Sequence, residues 1–407
     1  MTEVRVLDEP ADGVPPVLTT QAELDDACRR LSGGSGPVAV DAERASGYRY
    51  GQRAYLVQLR RHQAGTFLFD PIALGDLSPI AQALGDTEWV LHAANQDLPC
   101  LDEIGLRPGG DLFDTELGGR LAGLDRVGLG TMVAQLLGWQ LAKEHSAADW
   151  SKRPLPADWL RYAALDVEVL VELRDAVESL LVEQDKLPWA HEEFAAVRDA
   201  RPKPPREDPW RRTSGVHSLR SRRQLAVLRE LWRERDALAQ RRDLAPGRLL
   251  PDKAIVNAAR ELPTTQAALI ALPVFSGPAN RRQAGRWLAA ITRGMKLPDP
   301  QLPPMSVPND SPPPPRAWPD RDPQAAARLA AARGLVTERA EALNLPAENL
   351  ITPEFIRRLC WSPPERITGE TVADTLTQLG ARAWQVAQLA DDLAAAIASA
   401  DTTSAEA

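Results

Sequence analysis

Proline is the residue that most constrains this chain, because it fixes the backbone dihedral φ and has no N–H to give to a helix or a sheet. Four prolines fall within residues 201–210, and ten fall within residues 297–320. We predict a linker in the first segment and a stiff, polyproline-like tether in the second. The predicted organisation is a tail (1–16), a sheet unit (17–200), the linker (201–210), a first helical unit (211–296), the tether (297–320), a second helical unit (321–400) and a tail (401–407).

The sequence lacks the features of a membrane, secreted or disulfide-rich protein. No stretch approaches the roughly 20 apolar residues of a membrane span, and the N-terminus (MTEVRVLDEPADG) lacks the basic-then-apolar pattern of a signal peptide. Cys28, Cys100 and Cys360 lie far apart without a C-x-x-C pair, so neither a disulfide framework nor a zinc knuckle is indicated. We expect a cytoplasmic protein that has no membrane partner and acts as a monomer.

The net charge of −8 hides a strong segregation of charge along the chain. Residues 1–200 hold 18 basic and 33 acidic side chains, residues 201–300 hold 21 and 9, and residues 301–407 hold 9 and 14. A basic middle segment between two acidic flanks indicates a polyanionic partner such as a nucleic acid. A merely solvated basic face is the alternative.

The sheet unit begins with short apolar runs separated by turn residues. The runs 37–43 (PVAVDAE), 53–60 and 66–70 predict strands, and a strand at 89–94, a helix at 97–104 and a strand at 111–115 follow. Hairpin strands that lead into strands alternating with helices predict a mixed sheet flanked by helices, an α/β fold. After Leu129 we predict only helices, the last a long one from Pro156 to Gln184.

The two helical units look like copies of one all-α module. LAPGRLLPDKAI (244–255) and LPAENLITPEFI (345–356) match at a constant offset of 101 residues. Each match follows an amphipathic helix, predicted at 222–241 and 323–343. We infer a duplicated helical bundle, with two unrelated bundles that share a common turn as the weaker alternative.

Five polar residues of the sheet unit could do chemistry. Asp41 and Glu43 stand two apart on a predicted strand and therefore share a face, while Tyr162 and Asp166 lie one turn apart on a helix. Asp97 follows the predicted strand at 89–94. Taken singly, each has an ordinary explanation, such as a solvated edge strand or a helix N-cap. Asp114 also fits a cap, for the helix after FDT, and we leave it out of the site.

Taken together, the D-x-E, the later Asp and the Y-x-x-x-D resemble the tyrosine-containing (DEDDy) branch of the DEDD 3′→5′ exonucleases. The stretch LAKEHSAADWSKRPLPADWLRYAALDVEVL is similar to the block around the third motif of the ribonuclease D family, and the similarity spans roughly residues 17–200. The resemblance implies a ribonuclease H-like fold, two Mg²⁺ or Mn²⁺ ions as cofactors, and Asp41, Glu43, Asp97 and Asp166 as their ligands. Carboxylates are the ligands that such hard cations prefer.

The same resemblance assigns roles to these side chains. Asp41 would bridge both ions, Glu43 and Asp166 would complete one, and Asp97 would hold the other largely through water. Tyr162 would orient the attacking water, and the product would be a 5′-mononucleotide. Lys143, Trp150 and Arg153 could contact phosphates or sugars, with packing or a surface salt bridge as an equally weighted alternative.

The first helical unit resembles the HRDC domain, and the second resembles a more diverged, acidic copy. Within SLRSRRQLAVLRELWRERDALAQRRDLAPGRLLPDKAIVNAARELPTTQAALIAL the P-x-x-L-L-P-D turn and the I-x-x-x-A helix carry the resemblance. Arginines interleaved with a tryptophan after this stretch could form one helical stripe for phosphate contact, namely Arg281, Arg282, Arg286, Trp287 and Arg293. The acidic copy could instead pack on the first copy or on the sheet unit.

An exonuclease followed by two HRDC units is the ribonuclease D arrangement, which implies RNA with a free 3′ end as the partner and processing of transfer-RNA precursors. A helicase is excluded as the identity of the whole chain because no G-x-x-x-x-G-K-[ST] loop occurs. Two alternatives are a DNA 3′→5′ exonuclease and an RNA-binding adaptor whose nuclease site is inactive. The clustered acidic residues speak against the adaptor, since an inactive site has no physical reason to keep them.

Overall fold

The computed structural model describes residues 5–141, 145, 147–202, 204, 206–307 and 311–406. The sheet unit is built on a mixed sheet in the order β2-β5-β4-β3-β6-β7, which confirms the predicted fold class. The three predicted hairpin strands form its antiparallel part, and β6 and β7 continue parallel to β3. The strands are β1 (Arg5–Leu7), β2 (Val17–Leu18), β3 (Ser35–Arg44), β4 (Ala54–His62), β5 (Gly65–Phe69), β6 (Trp89–Leu91), β7 (Leu112–Asp114) and β8 (Trp139–Leu141).

Alternation along β3 decides which side of the sheet carries the polar residues. Val38, Val40 and Ala42 enter an apolar core together with α1 and α3. Ala39 enters the other core, on the opposite face, which the helices α7 and α8 cover. The helices of this unit are α1 (Gln21–Ser32), α2 (Pro71–Leu74), α3 (Ser78–Leu84), α4 (Ala94–Asp102), α5 (Thr115–Leu121), α6 (Leu129–Met132), α7 (Ala157–Glu168), α8 (Leu170–Glu183) and α9 (Leu187–Arg198).

Two expectations for the sheet unit are wrong. The helix predicted from Pro156 to Gln184 is two helices, because the backbone at Val169 turns to ψ −10° and ends α7. The prediction of only helices after Leu129 fails at β8, which follows the left-handed Gly138 (φ 71°) and pairs in parallel with β1. The predicted N-terminal tail is therefore partly a strand.

The helical units repeat their order of helices at the offset found in the sequence. Helix α11 begins at Pro246 and α18 at Ala347, and α12 begins at Asp252 and α19 at Pro353. The helices of the first helical unit are α10 (Arg222–Arg242), α11 (Pro246–Leu249), α12 (Asp252–Glu261), α13 (Gln266–Ile270), α14 (Pro278–Arg282) and α15 (Ala284–Lys296). Those of the second are α16 (Trp318–Arg321), α17 (Pro323–Ala342), α18 (Ala347–Leu350), α19 (Pro353–Trp361), α20 (Gly369–Leu379) and α21 (Ala383–Glu406).

The second helical unit packs on the sheet unit, one of the two places expected for it. Trp384 stacks on Trp189 with ring centroids 4.9 Å apart, and its indole N–H donates to Glu193 at 3.0 Å. Lys186 donates from Nζ to the carbonyl of Asn344 at 3.1 Å. A single apolar core runs through both units.

The proline-rich segment 297–320 is not a free tether where the structure describes it. Arg222 donates to the carbonyls of Leu302 (2.6 Å) and Pro303 (3.3 Å), which fastens the first part to α10. Trp318 is fully buried in the core of the second helical unit, and its indole N–H donates to the carbonyl of Pro313 at 2.7 Å. Proline leaves its carbonyl free to accept hydrogen bonds, so the segment lies along both units.

Two further boundaries shift. Trp210 belongs to the core of the first helical unit rather than to the linker. Helix α21 continues to Glu406, through the predicted C-terminal tail, and Asp401 on it pairs with Arg328. Within the described residues, no helix is both long and apolar enough to cross a membrane.

Candidate active site

Three carboxylates of the sheet unit converge at one place. Asp41 and Glu43 project from the face of β3 that α7 covers, and Asp166 comes from α7 itself. One carboxylate oxygen of each lies within 4.8 Å of those of the other two. The period of two along the strand and the crossing of α7 over it therefore bring together residues 123 and more positions apart.

These three carboxylates line a cleft in the sheet unit. Asp97 lines the same cleft, from the first turn of α4. It forms an ion pair with Arg44, whose Nη2 lies 3.2 Å from its Oδ1, and Arg44 also donates to the carbonyl of Gln96 at 2.7 Å. Arg44 directly follows Glu43 at the end of β3, so a strand residue holds the fourth carboxylate near the other three.

The start of α4 is held by Asp114. The predicted strand at 89–94 ends at Leu91, because Ala93 adopts the left-handed region (φ 59°) and α4 begins at Ala94. The carboxylate of Asp114 accepts the N–H groups of Ala93 at 3.0 Å and Ala94 at 2.9 Å. It also caps α5, as the sequence indicated.

Tyr162 lies one helical turn before Asp166 and lines the cleft. Burial, followed by the charge of Asp166, raises the pKa of its hydroxyl above the usual range, so the phenol stays protonated and can donate. Its ring packs against Trp150, with centroids 6.4 Å apart, and against His145 at 5.8 Å. The orientation of the tyrosine is thus fixed by neighbouring rings.

The electrostatics of the cleft fit a bound cation. Burial raises the pKa of Glu43 well above its usual range, and the charges of Asp41 and Asp166 raise it further. Burial also raises the pKa of Asp41 and of Asp97. Ionised carboxylates crowded in this way are unfavourable without a positive charge among them, and an all-oxygen donor set suits Mg²⁺ or Mn²⁺. The described residues therefore fit divalent cations.

A supporting residue that sequence reasoning missed is Gln58. It lies opposite Asp41 in the β3–β4 register, is fully buried, and donates from Nε2 to Oδ2 of Asp41 at 3.2 Å. A polar residue inside the apolar run of β4 was the available signal, but its partner follows only from the register of the hairpin.

For two of the three candidate substrate contacts near the site, the structure shows the alternative roles of packing and a salt bridge, and the third lies outside the described residues. Trp150 is fully buried and supports Tyr162, so its ring cannot reach a substrate. Arg153 donates hydrogen bonds to both carboxylate oxygens of Asp70, at 2.6 and 2.9 Å, and to the carbonyl of Tyr55 at 2.7 Å. These bonds give it the role of a structural salt bridge. Lys143 is among the residues that the structure does not describe.

The predicted arginine stripe is broken. The helix is interrupted at Gln283, between α14 and α15, and Trp287 is buried in the core of the first helical unit. Arg286 and Arg293 both pair with Glu234, each at 2.8 Å. Among the described residues, two members of the stripe stay exposed and form no ion pair with a carboxylate, namely Arg281 and Arg282.

Comparison with known proteins agrees with this arrangement. Residues 15–181 match a family model described as 3′-5′ exonuclease, and residues 224–291 match the HRDC domain. Residues 311–397 match a model described as 3′ to 5′ exonuclease C-terminal domain, so the likeness of the second helical unit to HRDC rests on its repeated helix order. Fold and site define a metal-dependent 3′→5′ exonuclease.

Proteins with similar sequences show to which family of exonucleases the chain belongs. Ribonuclease D of Gluconacetobacter diazotrophicus is 35% identical over 71% of this chain and 74% of its own length, and that of Acidiphilium cryptum is 32% identical over 85% and 86%. The chain belongs to the ribonuclease D family and is a 3′→5′ exoribonuclease.

Solved structures agree with this placement. A protein from Bifidobacterium adolescentis superimposes with a TM-score of 0.89 at 38% identity, over 97% of this chain and 100% of its own. Escherichia coli RNase D, described as an exoribonuclease involved in structured RNA processing, gives a TM-score of 0.66 at 28% identity, over 89% of this chain and 98% of its own. The likeness to both extends across all three units.

Proposed function

We propose that this chain trims the 3′ ends of transfer-RNA precursors and other small structured RNAs in the cytoplasm, acting as a monomer and releasing 5′-mononucleotides by two-metal-ion hydrolysis. Asp41 would hold both ions, Glu43 and Asp166 would complete one, and Asp97 would hold the other. The observation that carries the proposal is the convergence of three carboxylates beside a protonated tyrosine. Structured RNA as substrate is supported by the description of the Escherichia coli relative.

The bound cations and the residues of the cleft have different roles in the proposed hydrolysis. Bound divalent cations supply the activation of water and the stabilisation of the departing oxygen. The Tyr162 hydroxyl donates a hydrogen bond that orients the attacking water. The carboxylate of Glu43 accepts a hydrogen bond from the 3′-hydroxyl of the terminal nucleotide. The water oxygen bonds to phosphorus as the bond from phosphorus to the penultimate 3′-oxygen breaks. One water proton ends on that 3′-oxygen, and the released nucleotide keeps its 5′-phosphate.

The test is Asp41→Ala in the full chain, with 3′-labelled RNA and a DNA strand of the same sequence in Mg²⁺ or Mn²⁺. We expect mononucleotide release from RNA to fall by at least 10³-fold, because the carboxylate proposed to serve both ions is removed. Asp26→Ala is the matched control, since that aspartate is exposed on α1 and pairs with Arg29. Full activity of Asp41→Ala would refute the proposed site, and a preference of the wild type for DNA would refute the substrate class.

A further inference from the structure

The loop between β3 and β4 forms part of the wall of the catalytic cleft. It directly continues the strand that carries Asp41 and Glu43, and Ser46, Gly47 and Tyr48 line the cleft. Whatever fixes this loop therefore fixes the shape of the space beside the carboxylates.

Residues of the first helical unit donate hydrogen bonds to two backbone carbonyls of this loop. Ala245, just before α11, donates its N–H to the carbonyl of Tyr48 at 2.9 Å. Arg248 on α11 donates from Nε to the carbonyl of Gly47 at 2.7 Å. These bonds join residues about 200 positions apart in sequence, and a loop secured by its carbonyls has little freedom to move away.

Arg248 also covers the side chain of Tyr48. The centre of its guanidinium lies 4.0 Å from the centroid of the tyrosine ring, a cation–π distance. The hydroxyl of Tyr48 reaches toward the carbonyl of Ala147 at 3.4 Å, on another part of the cleft wall. Tyr48 thus contacts the first helical unit through the face of its ring and the segment before Trp150 through its hydroxyl.

A second set of contacts fixes the far end of the loop. The hydroxyl of Tyr50 donates to the carboxylate of Asp236, 3.1 Å from each oxygen, and its N–H donates to Asp243 at 3.3 Å. Oδ2 of Asp243 also lies 3.5 Å from Nη2 of Arg53 and 3.7 Å from Nη1 of Arg49. The loop is therefore bonded to the first helical unit at Gly47 and Tyr48 and again at Tyr50.

We infer that the first helical unit is a structural part of the seat for the terminal nucleotide, with Arg248 as a positioning residue that acts through Tyr48. The ring of Tyr48 offers a stacking surface to the terminal nucleoside, because any base has a π face that packs on an aromatic side chain. Arg248 holds that ring and the Gly47 carbonyl in place. This inference rests on the proposed exonuclease function, of which it specifies the nucleotide-binding wall.

The closing experiment measures the smallest substrate. Arg248→Ala and Tyr48→Ala, singly and together, are assayed on a 5′-phosphorylated adenosine dinucleotide and on a 20-nucleotide RNA. We expect each single variant to raise KM for the dinucleotide about tenfold with kcat within about twofold, since stacking on one base accounts for a factor of this order. The double variant should be no worse than Tyr48→Ala, because both changes remove one interaction. Arg260→Ala, an exposed arginine of the same unit that contacts Ser218 within it, is the matched control.

Each other outcome contradicts the inference. Additive losses in the double variant would mean that Arg248 does not act through Tyr48. A raised KM for the long RNA alone would mean direct contact of Arg248 with distant phosphates, and an unchanged KM would mean a purely structural contact. Arg248→Lys keeps the charge but loses the planar guanidinium, so it should behave like Arg248→Ala and serves if the alanine variant does not fold.

Binding without turnover separates this inference from the proposed function. The dissociation constant of adenosine 5′-monophosphate in the presence of Mn²⁺ should rise about tenfold in Arg248→Ala relative to wild type. Failure of the wild type to release mononucleotides from the 20-nucleotide RNA would refute the proposed function, whereas equal nucleotide binding by wild type and variant would refute only the role of Arg248.

Discussion

At the scale of single residues, the candidate site is assembled from a predictable set of carboxylates and a less predictable set of residues that support them. The spacing of Asp41 and Glu43 on a strand could be recognised because a period of two is a local property. The supports could not, since Gln58 acts through the register of a hairpin and Asp114 through the backbone of a segment 20 residues earlier. Register and long-range hydrogen bonds depend on the finished sheet.

His92 supplies a prediction about acid stability. Its ring lies in the wall of the cleft, with Nδ1 2.9 Å from the hydroxyl of Thr115, and burial lowers its pKa to about 4. The unfolded chain takes up this proton near pH 6.5, whereas the folded chain resists until about pH 4, so the contribution of His92 to stability is complete above pH 6.5 and is lost as the pH falls toward 4.

We therefore expect the free energy of unfolding of wild type to fall by about 2 kcal/mol more than that of His92→Gln between pH 7.5 and pH 4.5. Glutamine cannot take up a proton in this range, so the variant lacks the penalty. Urea unfolding at the two pH values measures the difference, and His217→Gln, at an exposed histidine of the first helical unit, should follow wild type. Equal losses in wild type and His92→Gln would contradict the prediction.

At the scale of secondary-structure elements, those with a complete local signal were predicted and those that depend on remote partners were not. The strands β3, β4 and β5 alternate or run apolar between clear turns, and their positions agree with the sequence. The break at Val169 has no proline or glycine to mark it, and the apolar pattern runs through it. Strand β8 needs β1, which lies more than 130 residues earlier, so no local pattern could indicate it.

The proline-rich segment gives an element-scale prediction because it is packed rather than free. Trp318 is fully buried, with its ring 4.9 Å from that of Trp361, and Trp318→Ala would leave a large cavity in the second helical unit. We expect this variant to lose about 3–5 kcal/mol of stability in that unit. Hydrogen exchange should show faster exchange in α17 and α19, while Arg316→Ala, at an exposed neighbour, changes little. Unchanged exchange in Trp318→Ala would restore the picture of a free tether.

At the scale of the whole molecule, the segregated charge has a more specific meaning than a basic arm beside an acidic enzyme. Much of the basic excess of the first helical unit is used internally, since Arg235 pairs with Asp252 and Arg286 and Arg293 share Glu234. The same unit lies against the cleft wall through Arg248. Net charge by segment predicts that the first helical unit faces a polyanion, and the folded structure adds which of its arginines remain available.

Arg281 and Arg282 are the exposed arginines that the predicted stripe retains, and they carry the last prediction. If they contact RNA phosphates, each neutralised phosphate contributes about 0.7 to the slope of the logarithm of affinity against the logarithm of salt concentration for a single strand. We expect the double variant Arg281→Ala/Arg282→Ala to lower that slope by about 1.4 for a transfer-RNA precursor, measured by binding titrations across a salt series. KM for a dinucleotide should not change, because so short a substrate extends only to the cleft.

The matched control removes the same charge from the acidic second helical unit, at the exposed Arg321 and Arg333. That double variant should keep the wild-type slope if phosphate contact is confined to the first helical unit, and an equal reduction in both variants would show a diffuse charge effect instead. A slope unchanged in Arg281→Ala/Arg282→Ala would mean that the RNA body lies elsewhere. The first helical unit would then serve the reaction through its contact with the loop after β3, where Arg248 and Tyr48 meet.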